Sequence, residues 1–171
     1  MQRPVASHTQ PLYTAEERRR RDASRWTRVQ GVLAALQFAA FFLSLCCVLR
    51  FLASGEGQLA ATISIVVKTS LLYAIMVTGC LWERDVFGRY LFARPFFWED
   101  VGSMAVLALH SAYLAALFSQ HVEVRYQMFI ALAAYAAYVI NATQFLLKFR
   151  AARRHARAGP PDRGVAWARQ E

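Results

Sequence analysis

Four long runs without Asp, Glu or Arg, broken by a single lysine, constrain this chain more than any other feature. The runs cover 29–49, 57–82, 101–122 and 126–147, with 21, 26, 22 and 22 residues, and Lys68 is their only charge. A bilayer core of ~30 Å needs ~20 helical residues to cross it. A soluble bundle would place charges on an outer face every third or fourth residue. The sequence therefore predicts an all-α integral membrane protein with four transmembrane helices, at about 29–52, 58–82, 99–119 and 126–148.

Basic residues predict the orientation of these spans. Residues 1–28 carry seven arginines, the chain from Lys148 onward carries seven Lys or Arg, and the loop at 83–98 carries three. The other two loops carry one each, Arg50 and Arg125. Because Lys and Arg concentrate on the cytoplasmic side, both termini and the 83–98 loop are predicted to be cytoplasmic. The predicted organisation is a basic leader (1–28), a membrane domain (29–148) and a basic tail (149–171).

The net charge of +9 indicates contact with lipid rather than with nucleic acid. The basic clusters RRRR and RAARRHAR flank predicted spans, where anionic headgroups attract them. The three cysteines lie inside spans and form neither a CxxC pair nor a disulfide framework. His110 is the one histidine within a span, so the sequence predicts no metal site of its own and no bis-histidine haem.

Polar side chains at membrane depth are the informative residues, because burying them in lipid is costly. Lys68 and His110 fall deep within the second and third spans. Further polar side chains recur at helical spacing in the halves of the spans nearer the predicted cytoplasmic side. We expect a polar cleft between the helices, open to the cytoplasm or the inner leaflet. Its members are Gln30 and Gln37 on the first span, Glu99, Ser103 and His110 on the third, and Tyr138, Asn141 and Gln144 on the fourth.

Each of these residues also has a purely structural interpretation. Lys68 can pair with a carboxylate to fix helix packing, and His110 can be a hydrogen-bonded core residue. Asp100 suits the first turn of a helix, where carboxylates cap free N–H groups. Trp98 fits an interfacial aromatic belt. Asn141 and Gln144 can join helices by hydrogen bonds.

Three stretches carry a resemblance to a known family. They are LYTAEERRRRDASRWTRVQGVLA (12–34), SIVVKTSLLYAIMVTGCLWERDVFGRYLFARPFFWEDVGSMAVLALHSAYLAALF (64–118) and AYVINATQFLLKFRAARR (137–154). Together they resemble the 2-vinyl (3-vinyl) bacteriochlorophyllide hydratases, small membrane enzymes of bacteriochlorophyll biosynthesis. The resemblance implies a hydro-lyase that adds water to the C3 vinyl group of chlorophyllide a or bacteriochlorophyllide, giving a 3-(1-hydroxyethyl) group. It also implies a multi-pass protein of the bacterial inner membrane, cytoplasmic or intracytoplasmic.

The resemblance brings no catalytic residues with it, so the chemistry suggests them. Hydration needs a proton donor, stabilisation of a cation and a water with a base. Glu99, walled by Phe97 and Trp98, is the predicted general acid, with Asp100 as its alternative. His110 either activates the water or is the axial ligand of the substrate's Mg²⁺, and Lys68 completes the catalytic set. We expect no separate cofactor, since the Mg²⁺ ion is part of the substrate.

Pigment binding is assigned to the predicted cytoplasmic rim and the polar stripes. Arg89 and Arg94 suit the substrate's propionate, and aromatic side chains offer flat faces to the macrocycle. The predicted substrate-binding residues are Arg89, Arg94, Gln37, Trp98, Tyr138, Asn141 and Gln144.

Two other functions use the same features. A non-catalytic tetrapyrrole carrier or assembly factor needs the cleft without a proton donor. A proton-coupled transporter would use Lys68 and Glu99, but the predicted periplasmic halves hold hardly any ionisable groups. The expected partners are the pigment and membrane lipids. A homo-oligomer and contacts with other pigment-biosynthesis enzymes are left open.

Overall fold

The chain folds as a bundle of helices. The computed structural model describes residues 12–119 and 121–157, and the regular structure within them is entirely helical. This confirms the predicted all-α class; the parts of the leader and tail at 1–11 and 158–171 lie outside the described residues. The helices are α1 (Ala15–Ala23), α2 (Arg25–Ser54), α3 (Gln58–Phe87), α4 (Phe97–Ser119) and α5 (Val124–Arg157), with a 3-10 turn at Arg94–Phe96 before α4.

Helices α2 to α5 are each long and apolar enough to cross a membrane. Their outer faces are apolar: Leu43, Leu59 and Phe118 are 65%, 73% and 78% exposed. The prediction of four apolar helices of spanning length is confirmed, and the helices run a few residues past most of the predicted bounds. The orientation and the division into leader, membrane domain and tail remain predictions.

Local sequence signals set several helix ends. Thr14 and Glu17 form a reciprocal capping box that starts α1, and the Ser24 hydroxyl accepts a hydrogen bond from the N–H of Trp26 in the first turn of α2. Gly55 and Gly88 end α2 and α3 in the left-handed conformation, with φ of 74° each. Glycine adopts this conformation without steric cost, which explains why these helices stop there.

The bundle consists of two antiparallel hairpins, α2 with α3 and α4 with α5, and the helices pack more closely within each hairpin than between them. Aromatic and hydroxyl side chains join the hairpins across the interior. The Tyr135 hydroxyl meets Ser44 Oγ at 2.5 Å, and the ring of Phe41 lies 5.6 Å from that of Tyr135. The main apolar core surrounds these contacts.

A second, smaller core closes the end of the bundle at which α1 lies. Tyr13, Val86 and Phe96 are buried together there. Burial raises the pKa of the Tyr13 hydroxyl to about 12, so this side chain stays neutral at physiological pH. The Trp82 indole donates to Thr27 at 3.0 Å. This bond joins α2 to α3, and helix α1 packs directly against α3, beside the residues described next.

Candidate functional site

Three carboxyl groups are buried at this end of the bundle. Glu83 lies in the last turns of α3, and Glu99 and Asp100 lie in the first turn of α4; they are 5%, 8% and 5% exposed. We call Glu83, Glu99 and Asp100 the acid cluster. Fully buried carboxyl groups are rare unless they are paired or hydrogen-bonded, so their partners determine what they can do.

The connection between α3 and α4 supplies backbone donors to two of these acids. The N–H of Phe92 donates to Asp100 Oδ2 at 2.8 Å, and the N–H of Ala93 donates to Glu83 Oε2 at 3.2 Å. Phe92 has a φ of 58°, which is unfavourable for a residue with a bulky side chain. The bond to Asp100 holds the backbone in this conformation.

The bonds from two consecutive residues, Phe92 and Ala93, also hold the Asp100 and Glu83 carboxyl groups close to each other. An ionised carboxylate can only accept hydrogen bonds. A bond between the two groups therefore requires a proton on one of them. The pair can hold a transferable proton at the end of the bundle, and the two backbone N–H groups can stabilise the charge left after its transfer.

The third acid is paired with a cation. Lys148, near the end of α5, places Nζ 2.5 Å from Glu99 Oε2 and 5.1 Å from the centre of the Phe96 ring. In the sequence, Lys148 stands out only as the end of the predicted fourth span and the first basic residue of the tail. Because 49 positions separate it from Glu99, no local pattern indicates the pairing.

Lys68 and His110 meet in the interior, and we call them the deep pair. Lys68 Nζ lies 3.1 Å from His110 Nε2, and His110 Nδ1 lies 2.8 Å from the Val106 carbonyl oxygen. Since a carbonyl only accepts, Nδ1 carries the hydrogen and Nε2 accepts from Lys68. Lys68 Nζ also stands 4.1 Å from the centre of the Tyr138 ring. Both side chains of the deep pair are fully buried.

A polar layer separates the acid cluster from the deep pair. Asn141 Nδ2 donates to Ser103 Oγ at 2.9 Å, and Ser103 follows Glu99 by one turn of α4. A Cβ atom on Gly102 would stand 2.5 Å from Asn141 Oδ1, so the Asn141 side chain fits against α4 here only because residue 102 is glycine. Gln37 is buried at a similar depth on α2.

The other predicted binding residues lie on the surface. Arg89, Arg94 and Trp98 are exposed around the α3–α4 connection, and Gln144 is exposed on α5. Tyr138 is buried against the deep pair. The structure thus brings Lys68, His110 and Tyr138 together, and separately Glu99 and Asp100, with Asn141 between the groups. The sequence did not predict that Lys148 and the backbone N–H donors of the α3–α4 connection belong to the site.

No group of three or more His, Cys, Asp or Glu side chains within 12–119 and 121–157 is arranged to hold a metal ion. The chemistry available to the described residues is proton transfer, hydrogen bonding and stacking on aromatic rings. The fold and the site together define a small helical protein of membrane-spanning length with buried acids at one end and a buried Lys–His pair within.

The chain is similar to known proteins of one family. The profile of the 2-vinyl bacteriochlorophyllide hydratase family matches residues 13–151, and the chain belongs to this family. It is 66% identical over 142 residues to the 2-vinyl bacteriochlorophyllide hydratase of Rhodobacter capsulatus, covering 83% of this chain and 82% of that protein. It is 63% identical over 150 residues to the protein of the same name from Cereibacter sphaeroides, covering 88% and 92%. No solved structure matches the chain significantly.

Proposed function

We propose that this protein is a hydro-lyase of bacteriochlorophyll biosynthesis that adds water to the C3 vinyl group of chlorophyllide a or bacteriochlorophyllide. The observation that carries the proposal is 63–66% identity, over most of both chains, to two proteins named as 2-vinyl bacteriochlorophyllide hydratases. The product has a 3-(1-hydroxyethyl) group. The four apolar helices support a multi-pass protein, and we place it in the bacterial inner membrane with both termini in the cytoplasm.

The reaction needs two proton transfers around one bond-forming step. A donor protonates the terminal vinyl carbon, which leaves positive charge on the carbon next to the macrocycle. The conjugated ring delocalises this charge, and a water oxygen then bonds to that carbon. The bound water loses one proton to a base, so the sum of the steps is the addition of one water molecule.

The acid cluster is the proposed source of the first proton. Glu99, the donor favoured by the sequence, forms a salt bridge with Lys148. Asp100 instead adjoins Glu83, and two adjacent buried carboxyl groups disfavour ionisation of both at once. We therefore assign the transfer to Asp100 with Glu83, and charge stabilisation beside the developing cation to Glu99.

The exposed residues of the α3–α4 connection suit the substrate's periphery. Arg89 and Arg94 are exposed and suit the propionate, because a planar guanidinium group can donate two parallel hydrogen bonds to a carboxylate. Phe92, Phe97 and Trp98 present exposed rings, and the Phe92 and Phe97 rings lie 5.7 Å apart. A flat macrocycle lying on these rings would have its edge at the acid cluster.

The deep pair limits the role of His110 as a ligand to the substrate's Mg²⁺. Its Nδ1 is bonded to Val106 and its Nε2 to Lys68, so coordination would require Lys68 to release Nε2. His110 also lies eleven residues beyond Glu99, or ~16 Å along the helix axis. We therefore place the deep pair behind the reacting carbons, as the far wall of the polar interior.

Conversion of a vinyl pigment in isotopically labelled water tests the proposal. Membranes containing the protein are given chlorophyllide a or bacteriochlorophyllide in H₂¹⁸O. We expect a product that carries the heavy oxygen and absorbs at shorter wavelength, since the vinyl group leaves the conjugated system. Recovery of unchanged pigment bound to the protein would instead support the carrier function.

Isosteric variants test the acid cluster. We expect Asp100→Asn and Glu83→Gln to lower the hydration rate roughly 10²–10⁴-fold, the usual contribution of general acid catalysis. Asp85→Asn is the control, because Asp85 is exposed two positions from Glu83 on the same helix. Parent rates in both cluster variants would remove the proton donor from this cluster.

A further inference from the structure

The hydroxyls of Tyr13 and Tyr113 are buried without a hydrogen-bond partner among the described residues, and so are polar atoms of three non-aromatic side chains. These three are Gln37, at both Nε2 and Oε1, Thr69 at Oγ1 and Asn141 at Oδ1. Gln37 and Thr69 are 2% and 1% exposed, and Asn141 is 9% exposed. Buried polar groups are nearly always satisfied in folded proteins, and lipid offers them no partner. These atoms therefore indicate a ligand.

The packing of α2 on α3 places Gln37 beside Thr69. Gln37 lies midway along α2 between two hydrogen bonds that hold these antiparallel helices in register. It therefore faces the turn of α3 that carries Thr69. The two bonds are Gln30 Nε2 to Thr78 Oγ1 at 2.6 Å and Ser44 Oγ to Ser64 Oγ at 2.8 Å.

The packing of α2 on α5 brings Asn141 to the same level. The rings of Phe38 and Phe41 lie 6.1 Å and 5.3 Å from that of Tyr138. These helices also run antiparallel, so the turn of α5 after Tyr138 lies opposite the turn of α2 before Phe38. Those turns carry Asn141 and Gln37, whose side chains are both buried.

We propose that Gln37, Thr69 and Asn141 bind water inside the bundle, and we call them the water site. The open positions are one amide donor, two carbonyl acceptors and a hydroxyl that both donates and accepts. None of the three side chains is charged, so the complementary ligand is small, neutral and able to donate and accept. A buried water molecule typically makes about three hydrogen bonds, which this set supplies.

The function of the water site rests on the proposed hydratase reaction, in which water is the second substrate. Asn141 is bonded to Ser103, which lies four residues, or ~6 Å along the axis, beyond Glu99. Water held there adjoins the carbons that the acid cluster protonates. Its oxygen forms the new C–O bond, and its lost proton returns to the carboxylate that donated the first, which restores the enzyme.

Apolar variants of near-equal size test the water site. We expect Gln37→Leu and Thr69→Val to lower kcat at least about tenfold while KM for the pigment stays unchanged. Thr143→Val is the matched control, because that hydroxyl is exposed and bonds only its own helix, at 2.8 Å from the Val139 carbonyl. A Gln37→Leu protein that is fully active and more resistant to heat would overturn the proposal, since removing an amide with no ligand should stabilise the bundle.

Radiolytic labelling in H₂¹⁸O detects the water without using activity. Hydroxyl radicals formed from internal water should oxidise Tyr138 and Phe41 more than the lipid-facing Phe42, and Gln37→Leu should abolish the difference. Labelling of Tyr138 that Gln37→Leu leaves unchanged would contradict the water site. If the labelling is present but the parent protein hydrates no vinyl pigment, the water site stands and the proposed function fails.

Discussion

At the scale of single residues, the buried titratable side chains of the two clusters are tolerated because each has a geometrically matched neighbour. Asp100 and Glu83 accept from consecutive backbone N–H groups, and Glu99 has Lys148. A buried charge without such a partner is strongly destabilising. The acids can therefore remain in a membrane-spanning bundle because the α3–α4 connection and the end of α5 reach them.

Gly102 gives a sharp residue-level prediction. In Gly102→Ala the new methyl group would stand 2.5 Å from Asn141 Oδ1 and 3.1 Å from Gln144 Oε1, so either the buried Asn141 side chain must leave its bond to Ser103 or the helices must separate. We expect a loss of about 1–3 kcal/mol in stability, the usual cost of overpacking, measured by thermal unfolding in detergent.

Gly31→Ala provides the control, because a Cβ atom at Gly31 meets no atom within 4 Å. Alanine there should stabilise α2 by about 0.5–1 kcal/mol, since it favours the helix over glycine. Equal unfolding temperatures for the two variants would show that close packing at Gly102 is unimportant.

At the scale of helices, polar contacts connect two hairpins that pack more loosely on each other than within themselves. The deep pair joins α3 to α4 in the interior, and Tyr73 and Ser111 join the same helices nearer the surface, at 2.6 Å. Hydrogen bonds between membrane helices hold packing that the hydrophobic effect does not drive.

A double-mutant cycle measures the coupling free energy between the two side chains of the deep pair. Lys68→Met leaves His110 Nε2 without a donor, and His110→Leu leaves the Lys68 amine without an acceptor, so each should lose about 1–3 kcal/mol. The double variant has no orphaned group and should lose clearly less than the sum. Unfolding in a detergent series gives the three values.

The cycle for Tyr73→Phe and Ser111→Ala is the reference. Because this hydrogen bond is partly exposed, its coupling should lie near ~0.6 kcal/mol, the average for such bonds in membrane proteins. Strict additivity of Lys68→Met and His110→Leu would mean that the deep pair contributes nothing to the α3–α4 contact.

At the scale of the whole molecule, one end of the bundle is specialised. The acid cluster, Lys148, the α3–α4 connection and helix α1 all lie there, and most of the arginines within the described residues are near it. A pigment with a flat ring and an anionic propionate can enter from the adjacent leaflet with its charged edge in water. The proposed reaction therefore belongs at this end.

Reporter fusions test the orientation that this requires. Alkaline phosphatase, which is active only outside the cytoplasm, should be active when fused after Gly57 or His121 and inactive after Gly88, because basic loops stay inside. Phosphatase activity after Gly88 with none after Gly57 would show that the orientation is the opposite one, with the acid cluster on the periplasmic side.

Number and approximate position of the spans could be predicted from the sequence, because an uncharged run of sufficient length is a property of the run itself. The helix ends at Gly55 and Gly88 were not predicted: the predicted spans stop at 52 and 82, because an apolar run marks the part of a helix that can cross the membrane and not the end of the helix. Candidate polar residues could also be chosen individually, since each is costly at membrane depth. Their partners could not be predicted from the spacing of residues on any one helix.

Sequence alone therefore determined which side chains must be satisfied inside the membrane, and tertiary structure decided how. The partners depend on how each helix is rotated and shifted against its neighbours. This holds for the pairs Lys148–Glu99 and Lys68–His110. It holds equally for the two backbone N–H groups that donate to Asp100 and Glu83. That rotation is set by the packing of all four helices at once, including the close approach at Gly102. No single segment contains that information.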